Sequence, residues 1–361
     1  MLVRSLKLHN FKSHENLYLE FSGRISVFTG KNGSGKTNLL DALHHTSLLR
    51  SAFHRQDSLN IRFNEAFYRL ESQVEEDARV QKLVILCERE KKKQVSWNGK
   101  NLERISDHVG KLPLVLILPD EPFQMNESAD WRRSAIDNVF SQAMPDYLLH
   151  LSRFKHFLGQ RNALLKYFSE GRRYDAQLLD ALDENVAEES ALLFEMRQAR
   201  LPELQALLEE EYQTISSGKE KIEMRYESQL KDMPAAALLH SRRQQDLEAG
   251  RSTAGLQRDD YEYSMNGNAV RKFASQGQQK SFLLAFKLAQ YRFLERMLGK
   301  KPALLLDDIF DKLDEERIRS LLGRIASDNM GQVFITDARE ERSRDLLKGI
   351  PCEIFPLTEL Q

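Results

Sequence analysis

Gly30-Lys31-Asn32-Gly33-Ser34-Gly35-Lys36-Thr37 stands between two recognisable elements. Before it, Ile25-Ser26-Val27-Phe28-Thr29 is a short β-branched and aromatic run. After it, Asn38-Leu39-Leu40-Asp41-Ala42-Leu43 has helical apolar spacing. Strand, Gly-x-x-x-x-Gly-Lys-Thr and helix in that order make a phosphate-binding loop in its proper context. Glycines let the backbone curl around phosphate oxygens. The loop N–H groups, contributed by residues 30 to 38, and the positive end of the helix then face the anion. Lys36 is expected to reach the β- and γ-phosphates, and Thr37 to offer its hydroxyl to Mg²⁺. The expected ligand is a nucleoside triphosphate with Mg²⁺.

Two further segments narrow the kind of nucleotide site. Ala303-Leu304-Leu305-Leu306-Asp307-Asp308 is an apolar run closed by two carboxylates, the pattern of a buried parallel strand. Its carboxyl end is where open α/β sheets place ligands. Asp307 suits a Walker B role on Mg²⁺, and Asp308 could orient or deprotonate the attacking water. Asp314 follows in Asp311-Lys312-Leu313-Asp314. Ser275-Gln276-Gly277-Gln278-Gln279 opens a strongly helical stretch, and such a start forms a second anion-facing nest. The order of these motifs resembles that of ABC-type ATPases. That resemblance implies that Ser275, Gln276, Gly277 and Gln278 contact the γ-phosphate held by a partner's loop. One chain would then carry two half-sites, and the active form would be a twofold, ATP-sandwiched homodimer.

The chain has 361 residues and a net charge of −1, so no global basic field announces nucleic acid. Any DNA contact must come from local patches, and Lys91-Lys92-Lys93, Arg132-Arg133, Arg172-Arg173 and Arg242-Arg243 are the candidates. Cys87 and Cys352 are far apart, and no Cys-x-x-Cys is present, so neither a zinc site nor a disulfide framework is expected. This fits a reducing cytosol. The start Met1–Leu8 alternates as a strand rather than reading as a signal peptide. No apolar run approaches the ~20 residues of a membrane helix.

Strand character fills 1–30 and 66–118; helical periodicity runs from 119 to about 215; sheet character returns near 252. The expected organisation is an α/β ATPase head in two parts, 1–125 with Walker A and 251–361 with the signature, Walker B and switch strand. Residues 126–250 form an inserted, mainly helical arm. Pro145, Gly171, Pro202 and Gly218 should break that arm. About 100 helical residues folded out and back reach at most ~75 Å, so the arm is stubby beside the long coiled coils of SMC-type chromosome ATPases.

Nearly the whole chain resembles the RecF family of bacterial recombination mediators. The resemblance lies in Leu6–Lys12, Gly33–Ala42, Trp131-Arg132-Arg133 with Asp137, and Gln160-Arg161-Asn162-Ala163-Leu164-Leu165-Lys166. It continues in Ser275–Ser281, Leu305–Asp308 and the switch strand Gln332-Val333-Phe334-Ile335-Thr336. Where the family commonly has Gly-Pro-His-Arg-Asp-Asp, this chain has Gly255-Leu256-Gln257-Arg258-Asp259-Asp260, and Ala129-Asp130 is unusually acidic. The resemblance implies a DNA-repair ATPase that binds double-stranded DNA and ssDNA–dsDNA junctions when loaded with ATP. It implies action with RecR and RecO in helping RecA displace single-strand-binding protein, support for the SOS response, and slow hydrolysis as a release switch. Three alternatives share the motif order. They are a transporter ATPase subunit, which would more often carry Leu-Ser-Gly-Gly-Gln, a Walker B glutamate and a switch histidine; an SMC-like head with another partner; and a non-catalytic ATP-gated DNA clamp.

Overall fold

Apolar alternation at the N-terminus becomes a hairpin, β1 (Leu2–Phe11) and β2 (His14–Glu20). There follow β3 (Ile25–Thr29), α1 (Lys36–Leu48), β4 (Phe67–Glu76), β5 (Arg79–Glu88), β6 (Gln94–Trp97), β7 (Lys100–Asn101) and β8 (Leu114–Ile117). The middle of the chain supplies α2 (Glu121–Glu127), α3 (Ala129–Ala143), α4 (Pro145–Ser169), α5 (Ala176–Ser216), β9 (Ile222–Glu227), α6 (Ala235–Ala249), β10 (Asp260–Met265), β11 (Asn268–Ala269) and α7 (Val270–Phe273). The remainder is α8 (Gln276–Leu298), β12 (Ala303–Leu306), α9 (Glu315–Ala326), β13 (Val333–Asp337), α10 (Glu340–Leu346) and β14 (Glu353–Pro356). The structure, a computed structural model, describes residues 2–54, 56–76, 78–172, 175–216, 218, 220–311, 315–327 and 330–357. The chain divides into two units, Met1–Pro122 with Lys280–Gln361, and Phe123–Gln279.

The first unit holds two sheets. One is parallel, in the order β14-β3-β13-β12-β8. Its strands are nearly continuous apolar runs, as burial on both faces requires. The other is antiparallel, β2-β1-β4-β5-β6-β7, and it alternates. Along β4, Tyr68, Leu70, Ser72 and Val74 point inward with a period of two. One apolar cluster joins Leu6, Leu8 and Phe11 of β1 to Leu39, Leu40 and Leu43 of α1, Tyr68 and Leu70 of β4, and Leu305 and Phe334 of the parallel sheet. Helix α1 is therefore held through its apolar face, and the loop ahead of it is placed by core packing.

Burial pushes His44 and His108 down to about 4, because each ring is kept neutral inside this unit. His44 Nδ1 meets the Arg50 carbonyl, and His108 Nε2 the Thr46 carbonyl. The unfolded chain takes up these protons near pH 6.5 and the folded chain only near 4, so between those values the unfolded state binds more protons. Stability should fall as pH drops through this window, by up to about 1.4 kcal/mol per pH unit for each ring. Urea unfolding midpoints at pH 7 and pH 5 measure this. A His108→Gln variant should show a shallower pH slope, and an unchanged slope would remove His108 as a cause.

The second unit packs α3 to α6 with the sheet β11-β10-β9. Buried arginines organise it. Arg161 is wholly buried and donates to Asp183 (2.5 Å), Asp246 (2.7 Å) and Ser252 (2.7 Å). Its neighbour Asn162 accepts from the Ser252 N–H at 2.8 Å. Arg197 donates to Asp137 (2.9 Å), Asp259 (2.8 Å) and the Tyr147 hydroxyl (2.9 Å). Arg132 forks onto Asp260 at 2.7 and 2.8 Å. Arg161, Arg132, Asp137 and the Asp259-Asp260 pair are thus accounted for by internal ion pairs, and Asn162 by its hydrogen bond to Ser252. Gln257, where a histidine is common, donates to the Ala254 carbonyl at 2.6 Å. Asp130 lies in the first turn of α3, where a carboxylate suits the helix dipole, and pairs with Arg133.

Two expectations change. Pro202 does not break the arm: α5 runs unbroken for 41 residues with Pro202 inside it. The proline ring is exposed, and the lost helix bond, about 3 kcal/mol, is offset by buried Leu201, Leu204, Leu207 and Leu208. One such helix spans ~60 Å. The return to the first unit also comes at Lys280 rather than at 251. The reason is that β10 pairs antiparallel with β9 from Asp260 opposite Glu227 to Met265 opposite Ile222, so this strand pair, with α6 between its strands in sequence, belongs with the helices.

Candidate nucleotide site

β3 and β12 are not neighbours in the parallel sheet; β13 lies between them. This order brings three carboxyl ends together: β3 leading into the loop, β12 ending at Asp307, and β13 ending at Thr336 and Asp337. The Thr37 hydroxyl lies 3.0 Å from each Asp307 oxygen. The Thr336 hydroxyl donates to Asp307 Oδ1 at 2.8 Å and accepts the Asp308 N–H at 2.8 Å. Burial pushes the Asp307 carboxyl up, and the hydroxyls of Thr336 and Thr37 pull against that. These are hard oxygen donors at close quarters, the set a small divalent cation such as Mg²⁺ takes.

The loop itself, from Gly30 through Lys31, Asn32, Gly33 and Ser34 to Gly35, curls over the start of α1. Lys36, 4% exposed, donates to the carbonyls of Gly30 (2.7 Å) and Lys31 (3.1 Å). Its ammonium therefore sits inside the curve of the loop. Gly35 has φ 92°, and a Cβ there would lie 2.7 Å from the His14 ring, so only glycine fits. Helix α1 begins without a side-chain cap and without acid in its first turn, which leaves its first N–H groups directed at the loop. Ser13 Oγ accepts from Asn38 Nδ2 at 2.8 Å, and His14 Nε2 meets the Gly35 carbonyl at 3.1 Å. Burial lowers His14 below the ordinary histidine value, favouring the neutral ring. Lys12 pairs with buried Asp41 at 2.6 Å. The β1–β2 turn thus braces the loop. Ser13 and His14 carry no motif, and Lys12, at the end of the Leu6–Lys12 stretch, shows no sign of this role in the alternating strand pattern around it.

The signature lies in the second unit, at the start of α8. Ser275 Oγ accepts the Gln278 N–H at 3.2 Å, and Gln278 Oε1 accepts the Ser275 N–H at 2.7 Å. This is a reciprocal capping box. Gln276, exposed, and Gly277, half-buried, lie between the two in the first turn of α8.

A family model described as the RecF/RecN/SMC N-terminal domain matches residues 2–350. A protein of Flavobacterium johnsoniae named DNA replication and repair protein RecF is 36% identical over 349 residues, covering 97% of each chain. The chain belongs to the RecF family. A relative of the same name from Bacteroides fragilis is 37% identical over 350 residues, 96% of this chain and 94% of its own. A solved structure of the recombination mediator protein RecF-ATP in the RecFOR pathway superposes with a TM-score of 0.86 at 26% identity, covering 98% of this chain and 95% of its own. An Smc head bound to the C-winged helix domain of ScpA shares the fold at 16% identity, TM-score 0.52, over 94% of this chain and 90% of its own. The fold is thus the α/β ATPase head of the RecF and SMC proteins with a long helical segment.

Within this RecF-family chain, the geometry brings together the expected loop residues with Thr37, Asp307, Asp308 and Thr336. Asp314 lies outside the described residues. Asp337, the next carboxylate after Thr336, is fully buried and occupied: it accepts from Arg342 and, at 2.7 Å, from the Ser343 hydroxyl. It holds α10 and is no candidate for activating water. The basic patches also thin out. Arg132 is buried on Asp260, Arg243 donates to Asp183 at 2.7 Å, and Lys93 pairs with Asp57 at 2.9 Å. Arg173 lies outside the described residues.

Proposed function

We propose that this chain is an ATP-switched DNA-binding protein of gap repair and recombination. ATP binding joins two copies head to tail, each closing the other's nucleotide site with its signature turn. The joined form holds double-stranded DNA and ssDNA–dsDNA junctions and works with RecR and RecO in RecA loading; slow hydrolysis releases it. The inserted helical module serves as a short arm, and the site of action is the cytoplasm. The observation that carries this reading is the convergence of the Thr37 and Thr336 hydroxyls on Asp307 at the mouth of the loop. Names and ligands of the relatives, RecF-ATP among them, point the same way.

Among the residues, Lys36 and the loop N–H groups bind and orient the β- and γ-phosphates. Thr37 and Asp307 hold Mg²⁺, which when bound neutralises charge developing on the phosphates. Asp308 takes the proton of the attacking water, and its main chain is fixed by the Thr336 hydroxyl. A sandwiched dimer gains its extra contacts only while the γ-phosphate is present, which makes ATP a switch. Gel filtration and duplex binding, each with and without ATP, test the assembly. Asp308→Asn should slow turnover about 10²–10⁴-fold and let the ATP-bound dimer accumulate on DNA. Unchanged phosphate release in that variant removes Asp308 from the role; a monomer under every condition sinks the switch.

A further inference from the structure

Gln278 does more than cap its helix. With Oε1 turned to the Ser275 N–H, its Nε2 points the other way and donates to Glu220 Oε1 at 2.6 Å. The second Glu220 oxygen accepts the Tyr212 hydroxyl at 2.5 Å. Tyr212 is fully buried in the last turns of α5, its hydroxyl also 3.7 Å from Met265 Sδ. We propose that Glu220 is a positioning residue for the signature turn, fixing the Gln278 amide, and through it Ser275, to the end of the long helix. This rests on the reading that the signature closes a partner's nucleotide site.

A glutamine amide can rotate by half a turn and exchange its oxygen for its NH₂. Turned the wrong way, Gln278 would present donors to the Ser275 N–H, and the capping box would open. A carboxylate only accepts, so Glu220 permits one orientation. With that orientation set, Ser275 Oγ accepts the Gln278 N–H, and its own proton is directed to an acceptor outside the helix, as a γ-phosphate oxygen is. A bystander carboxylate beside an anion-facing turn would only repel the anion, and its removal would help binding. Glu220 as a positioner predicts the opposite sign.

Phosphate release at saturating ATP, ATP affinity and thermal midpoint are to be measured on full-length variants. Glu220→Ala should lower kcat about tenfold to a hundredfold, the scale of a lost hydrogen bond to a charged group, with ATP affinity of the monomer within about twofold. Glu220→Gln keeps an acceptor for Gln278 and should recover most of the rate; a purely electrostatic effect on the helix start would not be rescued. Gln278→Ala should cost less in the Glu220→Ala background than it costs the parent. Tyr212→Phe, which leaves the carboxylate in place, should lose about threefold to tenfold and serves if Glu220→Ala misfolds. Parental turnover in Glu220→Ala alongside a dead Ser275→Arg overturns the positioning role alone. An active Ser275→Arg overturns the shared-site reading on which it rests.

Discussion

Lys36→Ala should lose ATP binding by about a hundredfold or more. Lys36 is nearly buried and its ammonium lies against the Gly30 and Lys31 carbonyls. A phosphate in the loop would exchange those neutral acceptors for charged ones. Each charge-assisted hydrogen bond is worth about 1.5–3 kcal/mol. In the proposed complex the cation would bridge two phosphates, so the loss would double. Lys36→Met keeps the aliphatic stem against the core and separates charge from packing; it should bind ATP as poorly as Lys36→Ala while retaining the parental thermal midpoint. Duplex binding that needs ATP should vanish in both. Titration with a fluorescent ATP analogue and electrophoretic mobility of a gapped duplex measure the two losses. Parental affinity for both in Lys36→Met would overturn the assignment of the loop.

Much of this site is legible in the sequence because it is local. Strand, glycine loop and helix are contiguous, and each states its conformation through residue types acting over a few positions. Asp307 is legible for the same reason, an apolar run ending in acid. Ser275 opens a helical stretch in sequence, and at that helix start it makes a capping box. The parts not legible depend on partners far along the chain. Thr336 and Thr37 meet Asp307 only because β13 lies between β3 and β12, an order that no local pattern states. Asp337 looks as available as Asp308 in sequence; Arg342 and Ser343 claim it, and the helix they come from has to fold back before that is visible. Arg132 reads as a surface cation and is buried on Asp260, 128 residues away. Pro202 reads as a break, and the buried leucines around it outweigh the one hydrogen bond it removes. Glu220 carries no motif at all.

Ser275→Arg should separate nucleotide binding from assembly. The substitution places a long cation on the turn proposed to approach a partner's γ-phosphate, and it removes the acceptor for the Gln278 N–H. The lost cap alone costs about 1 kcal/mol, so the helix survives and Ser275→Ala controls for the cap. Lys36, Thr37 and Asp307 are untouched, and the monomer should bind ATP as the parent does. It should fail to dimerise with ATP, fail to release phosphate and hold duplex DNA poorly. Mixing sharpens the test. In a heterodimer of Ser275→Arg with Lys36→Ala, one interface pairs an intact loop with an intact signature, and the other has both damaged. Neither homodimer has an intact interface. With random pairing, half the dimers are mixed and each has one working site of two, so mixing should restore up to roughly a quarter of parental turnover. The mixture should also regain ATP-dependent dimers on gel filtration. Sites complete within one chain would leave both variants as they were, with no recovery on mixing. Ser275→Arg would then turn over ATP as a monomer, and the twofold switch would have no physical basis.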